Sequence, residues 1–260
     1  RRSSWTRRTT PRRKRIDPSS PTSPTPRCSD SPPPPTEATA SDYVGPLRVF
    51  IGYDERQPLA YHVAAHSVLT RSSVPVTITP LMLRQLPIRR RGLTAFTYSR
   101  FLVPWLCGFR GRAIFLDPDT LCRGDIAELD HLARSSGAAV AVVQHERRFE
   151  WPSVMAFDCV RCGALSPGYV DNPTYALFDF AWASSLGALP PAWNLLVGYD
   201  VPDPQARLVH FTQGVPCWPE TAAQDYAAEW QAELAALSAT CSFQELMGHS
   251  VHPLAEAARA

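Results

Sequence analysis

Apolar and polar positions settle into a regular rhythm from about residue 47. Val49-Phe50-Ile51 is a short apolar run closed by Gly52, and over residues 58–69 Leu59, Val63 and Val68 recur on one side of a helix. The pattern predicts a strand followed by a helix. A second β-rich run covers 76–82, and residues 93–105, rich in aromatics, are read as a helix as far as Pro104. A third strand, 113–116, must end where Asp117-Pro118-Asp119 begins, because proline cannot donate within a central ladder. Further on the pattern predicts a helix at 124–132, buried strands at 138–143 and 154–157, a helix at 174–184, a turn at Pro190-Pro191, a strand at 207–211 and a helix at 222–237. Strands that are continuously apolar and alternate with helices predict an α/β domain, with a mostly parallel central sheet flanked by helices.

Composition narrows the class. Of 260 residues, 45% are hydrophobic and 19% charged, which is ordinary for a globular chain and excludes disorder throughout. No apolar run approaches the roughly 20 residues that a membrane helix needs. The first 45 residues differ in texture. Nine prolines lie between Pro11 and Pro35 among Ser, Thr and Arg, so residues 1–45 are expected to form a disordered tail before a domain at 46–260.

That tail carries nine basic side chains against four acidic ones, which leaves the body at −3. Nucleic-acid binding by the body is therefore not expected, and the basic tail offers at most a peripheral contact with an anionic membrane. The start has positive charges but no apolar segment behind them to act as a secretory signal, and seven cysteines is an odd number. Both favour a reducing, cytoplasmic setting. The C-x-x-C at Cys159 and Cys162 has no second pair to complete a zinc site, so buried free thiols are expected. His62 and His66 are read as helix-surface or packing histidines.

The candidate chemistry lies at the strand ends, where open α/β sheets place their ligands. Asp117 and Asp119, spaced i, i+2 across a turn, can converge on a hard divalent cation, although solvated carboxylates on an Asp-Pro turn would leave the same trace. In context the run Ala113-Ile114-Phe115-Leu116-Asp117-Pro118-Asp119, followed by Gly124-Asp125-Ile126, resembles the glycogenin-like, family 8 nucleotide-diphospho-sugar glycosyltransferases. Val49 to Asp54, Tyr98-Ser99-Arg100 and Leu208-Val209-His210-Phe211-Thr212-Gln213-Gly214 resemble further segments of that family in the same order.

The resemblance implies a GT-A-type fold and a Mn²⁺ or similar ion held by Asp117, Asp119 and His210. It implies a UDP-sugar donor contacted by Asp54, Tyr98, Asp117 and Gly214. Arg100, Asp158 and Asp179 would then serve catalysis around the donor sugar, and the acceptor, whether glycan, lipid or protein, stays open. Transfer with retention is likewise an implication of the family. Taken without it, His210 reads first as a buried packing histidine, and Arg100 reads equally well as half of a structural ion pair.

The family's K-P-W ending appears here as Pro216-Cys217-Trp218, and the only lysine in the chain is Lys14. An arginine or backbone amides near Gly214 would have to take the lysine's place. A non-catalytic sugar-nucleotide-binding domain is therefore the alternative function. A haloacid-dehalogenase-type phosphatase is a lesser one, because it needs a downstream lysine. Asn194, after Pro190-Pro191-Ala192-Trp193, is expected beside the acceptor.

Overall fold

Residues 45–239 are described by a computed structural model, and the expected tail lies, except for Gly45, outside them. The apolar run at the start becomes strand β1, Leu47–Tyr53, and Pro58 opens helix α1, Pro58–Arg71, where its missing N–H costs nothing. Strand β2, Val76–Met82, contains Pro80, which a sheet tolerates because β2 is an edge strand. After the short helix α2, Val103–Leu106, come β3, Arg112–Leu116, and β4, Thr120–Cys122. Helix α3, Ile126–Ser135, is capped by the Asp125 carboxylate, which accepts from the Ala127 amide at 3.0 Å. The remaining elements are β5, Val140–Val143, β6, Val154–Asp158, α4, Pro167–Asp171, β7, Leu186–Leu189, β8, Leu195–Leu196, β9, Leu208–His210, and α5, Ala227–Leu237.

Six strands form the main sheet in the order β2-β1-β3-β6-β5-β7. The pairs β1–β2, β1–β3 and β5–β7 are parallel, so the expected α/β class with a mostly parallel sheet is present. Strand β6 runs antiparallel to both of its neighbours, β3 and β5. Alternate residues feed two cores, with Phe50, Phe115 and Phe157 on one face and Ile51, Ile114 and Ala156 against helices α1 and α3 on the other. A small sheet, β4-β9-β8, packs over a third cluster that includes Val63, Val209 and Trp230. Helix α5 is tied to α1 by buried Glu233, which accepts from Arg71 at 2.6 Å and lies 2.5 Å from His66 Nδ1, while His62 is exposed.

Two expected helices are replaced by turns. In residues 93–105 the Thr97 hydroxyl accepts from the Thr94 amide at 3.0 Å, and only a 3₁₀ turn, Ser99–Leu102, and α2 follow. In residues 174–184 the Asp179 carboxylate accepts from the Ala181 amide and Phe180 adopts φ of 61°, so only Leu177–Asp179 makes a helical turn. In both stretches a short polar side chain gives the backbone a competing partner. Cys107, Cys122, Cys159, Cys162 and Cys217 are free thiols, and burial pushes Cys162 up to about 12.

Candidate active site

Strands β1 and β3 are parallel and end at the same edge, so Gly52 and the Asp117-Pro118-Asp119 turn meet there. A Cβ on residue 52 would come within 2.6 Å of Phe96 Cγ and 2.9 Å of Pro118 Cδ, which explains the glycine. The turn is pinned by main-chain bonds. The Asp117 amide donates to Ser153 O at 2.9 Å, the Thr120 hydroxyl to Asp117 O at 2.8 Å, and the Phe211 amide to Asp119 O at 2.8 Å. Thr120 is the ladder partner of His210 in the antiparallel β4–β9 pair. A strand some ninety residues downstream thus carries its imidazole back to the turn.

Asp117, Asp119 and His210 each offer one ligand atom, and those atoms lie within 4.8 Å of one another. That is the span of one coordination sphere around a cation bound at about 2.1–2.4 Å. Oδ1 of Asp117 and Oδ1 of Asp119 are both buried without a hydrogen-bond partner. Each has a cationic neighbour at ion-pair distance, Arg100 Nη2 at 3.0 Å and His210 Nε2 at 3.3 Å, but neither is aligned as a hydrogen bond. Buried carboxylate oxygens are normally satisfied, so two adjacent orphans beside an imidazole fit a bound divalent cation. A donor set of two carboxylates and one imidazole suits a Mn²⁺-like ion.

Electrostatics agree with that fit. Burial pushes the Asp117 carboxyl up to about 6, Arg100 pulls against it and the Asp119 charge pushes further. Burial opposes the charged form of His210, yet Asp119, Asp117 and Glu150 together hold its pKa above the ordinary value. A buried carboxyl whose charged form burial disfavours, beside a second carboxylate and an imidazole, marks a site that a bound cation would complete.

Around these three groups lies a supporting shell. Arg100, almost fully buried, donates to Asp117 Oδ2 at 3.2 Å, to Pro152 O at 3.0 Å and to Phe96 O at 3.2 Å. Asn194 is 0% exposed, and its Oδ1 accepts from His210 Nδ1 at 3.2 Å, which turns Nε2 toward Asp119. The amide group of Asn194 donates to Glu150 O at 3.3 Å, so this residue orients the histidine and does not line the acceptor side as expected. Trp193 beside it is core. Glu150 accepts from the Ser153 hydroxyl at 3.2 Å and comes within 4.0 Å of His210 Nδ1. Sequence reasoning missed both Glu150 and Ser153, whose only signal is the one-turn spacing that brings them together in the 3₁₀ segment Arg148–Ser153.

The cleft in front of Asp117 and Asp119 holds about 130 Å³ and is lined by Thr97, Arg100, Phe149, Glu150 and Thr212 among others. Next to it, Asp54, Met82, Arg91 and Ala95 border a hollow of about 310 Å³. Asp54 lies there with its carboxylate clasped by Arg56 at 2.6 Å, and that hydrogen bond lowers its pKa against the cost of burial. Tyr98 is packed between Arg90, whose guanidinium sits 4.0 Å over its ring, and the edge of Phe178. Gly214, at φ of 108°, turns the chain after β9, and its amide donates to Phe211 O at 2.8 Å, so that N–H is not free for a phosphate.

Two expected positions lie elsewhere. Asp158, which the resemblance sets near the donor sugar, ends β6, and because β6 runs antiparallel to β3 it is the ladder partner of Arg112 at the opposite edge of the sheet. Asp179 is exposed and its carboxylate closes its own turn onto Ala181, outside the cleft lining.

The sequence matches no known family model. Over 226 residues it is 34% identical to Protein CDI of Arabidopsis thaliana, an alignment covering 73% of this chain and 86% of that protein. The chain belongs to the Protein CDI family. That family name describes no reaction, and the solved structures that resemble this chain show its fold.

The fold of this Protein CDI relative is similar to that of the galactosyltransferase LgtC, solved with donor and acceptor sugar analogs, at TM-score 0.50 and 12% identity over 75% of this chain and 98% of that one. It is similar to the glycosyltransferase GlyE of Streptococcus pneumoniae at TM-score 0.58 and 14% identity, over 73% of this chain and 60% of that one. The bifunctional WbbM matches at TM-score 0.56 and 13% identity over 75% of this chain, which spans 50% of WbbM. The Protein CDI relative therefore has the GT-A glycosyltransferase fold.

Proposed function

We propose that this chain is a metal-dependent glycosyltransferase of the family 8 type that moves a hexose from a UDP-sugar to an acceptor, with retention of configuration. The observation that carries the reading is the pair of orphaned carboxylate oxygens facing His210 at the strand ends of a GT-A fold. A divalent cation, Mn²⁺ by its donor set, would be held by Asp117, Asp119 and His210 and would supply the charge that stabilises a departing diphosphate. Arg100 keeps Asp117 oriented, and Asn194 keeps His210 Nε2 turned inward. Asp54 and the hollow beside it are assigned to the uridine, and Glu150 faces the cleft next to the donor's reacting end.

The tail at 1–45 stands outside the transferase domain in this reading. A cytoplasmic setting is part of this reading. Among the described residues no helix is long and apolar enough to cross a membrane.

Calorimetry of UDP in Mn²⁺ and in chelator, followed by turnover with a panel of UDP-sugars, tests this reading. Metal-dependent UDP binding with sugar transfer supports it, and equal UDP affinity in chelator removes the metal from it. A second reading, a sugar-nucleotide binder without turnover, is favoured by the placement of Asp158 and Asp179 away from the cleft and by the lack of any lysine after Lys14. It predicts tight metal-dependent UDP binding with neither transfer nor donor hydrolysis. The phosphatase alternative has no lysine to hold a phosphoaspartate.

A further inference from the structure

Two short segments, residues 89–93 and 147–149, reach the lips of the cleft through Leu93 and Phe149. Each presents a large apolar side chain to solvent: Leu93 is 83% exposed and Phe149 63%, and both line the cleft that holds Asp117 and Asp119. Phe149 is held in place by its neighbour. Its ring stacks parallel on Phe178 at 5.6 Å, and Phe178 in turn meets the edges of Tyr98 and Phe101 in the core.

Each lip also carries arginines. Arg89 and Arg91 stand beside Leu93, and Arg147 and Arg148 directly precede Phe149; all four are exposed. Eight other arginines of the described residues, among them Arg71, Arg112 and Arg207, are matched to carboxylates within 4.0 Å, but these four are not. The guanidinium contacts of Arg91, Arg147 and Arg148 are instead carbonyls and rings. Arg91 donates to Ile88 O at 3.2 Å, Arg148 to Asp179 O at 2.6 Å, and Arg147 lies 4.0 Å over Tyr199. Tyr199 is itself 47% exposed and near Val201, which is 85% exposed. Residues 89–93 and 146–150 carry five arginines against Glu146 and Glu150, an excess of three positive charges that Asp171, whose carboxylate accepts from the Arg89 and Arg90 amides, reduces to two on a body whose net charge is −3.

We propose that this rim docks on an anionic lipid bilayer, with Leu93 and Phe149 entering the headgroup boundary and the four arginines against lipid phosphates. Exposed apolar side chains interleaved with unpaired cations form the surface that binds such an interface, since long basic side chains keep their charge at headgroup level while neighbouring apolar groups leave water. A soluble anion or a nucleic acid would use the cations but leave Leu93 without a role. The consequence for chemistry rests on the transferase reading above: a cleft whose mouth faces the bilayer takes its acceptor hydroxyl from a lipid headgroup.

Vesicle flotation tests the surface without donor or turnover, so it can succeed or fail independently of that reading. The full chain is mixed with phosphatidylcholine vesicles, with or without about a third phosphatidylserine, and compared with Arg147→Ser/Arg148→Ser and Leu93→Ser/Phe149→Ser double variants. All three chains keep the basic tail, so its pull is common to them. Each arginine at an anionic surface is worth about 5-fold in partition, so the arginine variant should bind anionic vesicles roughly 25-fold more weakly. The apolar variant should lose the binding that survives 0.5 M salt, about the level at which screening removes most of the electrostatic part. Both should melt like the wild type, because the altered side chains are exposed. Partition unchanged by either pair of substitutions, or equal binding to neutral vesicles in wild type and variants, overturns the proposal. So does concentration-dependent self-association through Leu93 and Phe149 without vesicle binding.

Discussion

Asp117 and Asp119 are the same residue type two positions apart, yet neutralising them one at a time should injure the protein differently. The Asp117 and Arg100 side chains are 8% and 7% exposed, so Asp117→Asn leaves a guanidinium buried with two carbonyls and no anion. Removing one partner of a buried pair costs about 3–5 kcal/mol, and the surviving carbonyl bonds place this case near about 3. At about 2–4 °C per kcal/mol for a domain of this size, the metal-free variant should melt about 6–12 °C below wild type. Asp119 is 28% exposed; its loss removes an attraction to His210 and a repulsion toward Asp117. These offset, and the metal-free Asp119→Asn protein should melt within about 3 °C of wild type.

Metal separates the pair in a second dimension. Wild type at 100 times the dissociation constant should gain about 2.7 kcal/mol from Mn²⁺, and neither variant should gain it. Thermal denaturation at pH 8, where Asp117 is ionised, in chelator and in graded Mn²⁺ reads both effects. A loss of equal size in the two variants would refute the assignment of Asp117 as the buried ion-pair partner. A metal-dependent rise that survives in Asp119→Asn would refute that residue's place in the ion site.

Two further outcomes follow from the same geometry. Asn194→Ala should weaken Mn²⁺ binding about 10–100-fold by freeing the imidazole to turn, measured by calorimetry; affinity within 2-fold of wild type would show that Asn194 has no hold on the ligand. Metal affinity should also fall as pH drops below about 6, because cation and protons compete for Asp117 and His210.

The main-sheet strands were largely legible because each is a short apolar run bounded by Gly, Pro or charge, and the 76–82 strand matches β2 residue for residue. The cluster of Asp117, Asp119 and His210 was legible through the family resemblance alone, since local pattern left Asp117-Pro118-Asp119 open as a turn and His210 as a packing histidine. Strand direction was not. Nothing in Val154-Met155-Ala156-Phe157 distinguishes an antiparallel neighbour of β3 from a parallel one, and that ambiguity sent Asp158 to the wrong edge. The misread helices failed where Thr97 and Asp179 hydrogen-bond locally, a choice that apolar spacing cannot register. Asn194 and Glu150 escaped because their roles depend on the direction a side chain takes inside the fold, toward His210 in both cases.

The β4–β9 ladder also sets an order of events during synthesis. Asp117 and Asp119 are made early, but the imidazole that completes their site arrives only with the strand Leu208–His210, and Asn194 that steadies it comes just before. Loop closure over some ninety residues must precede any organised ligand set. A growing chain still short of residue 210 therefore carries two carboxylates and no assembled cluster, and it would be blind to any ion that the proposed site holds. On the transferase reading, chemistry at this cleft waits for the last strand of the small sheet, and a half-made chain has no means of acting prematurely.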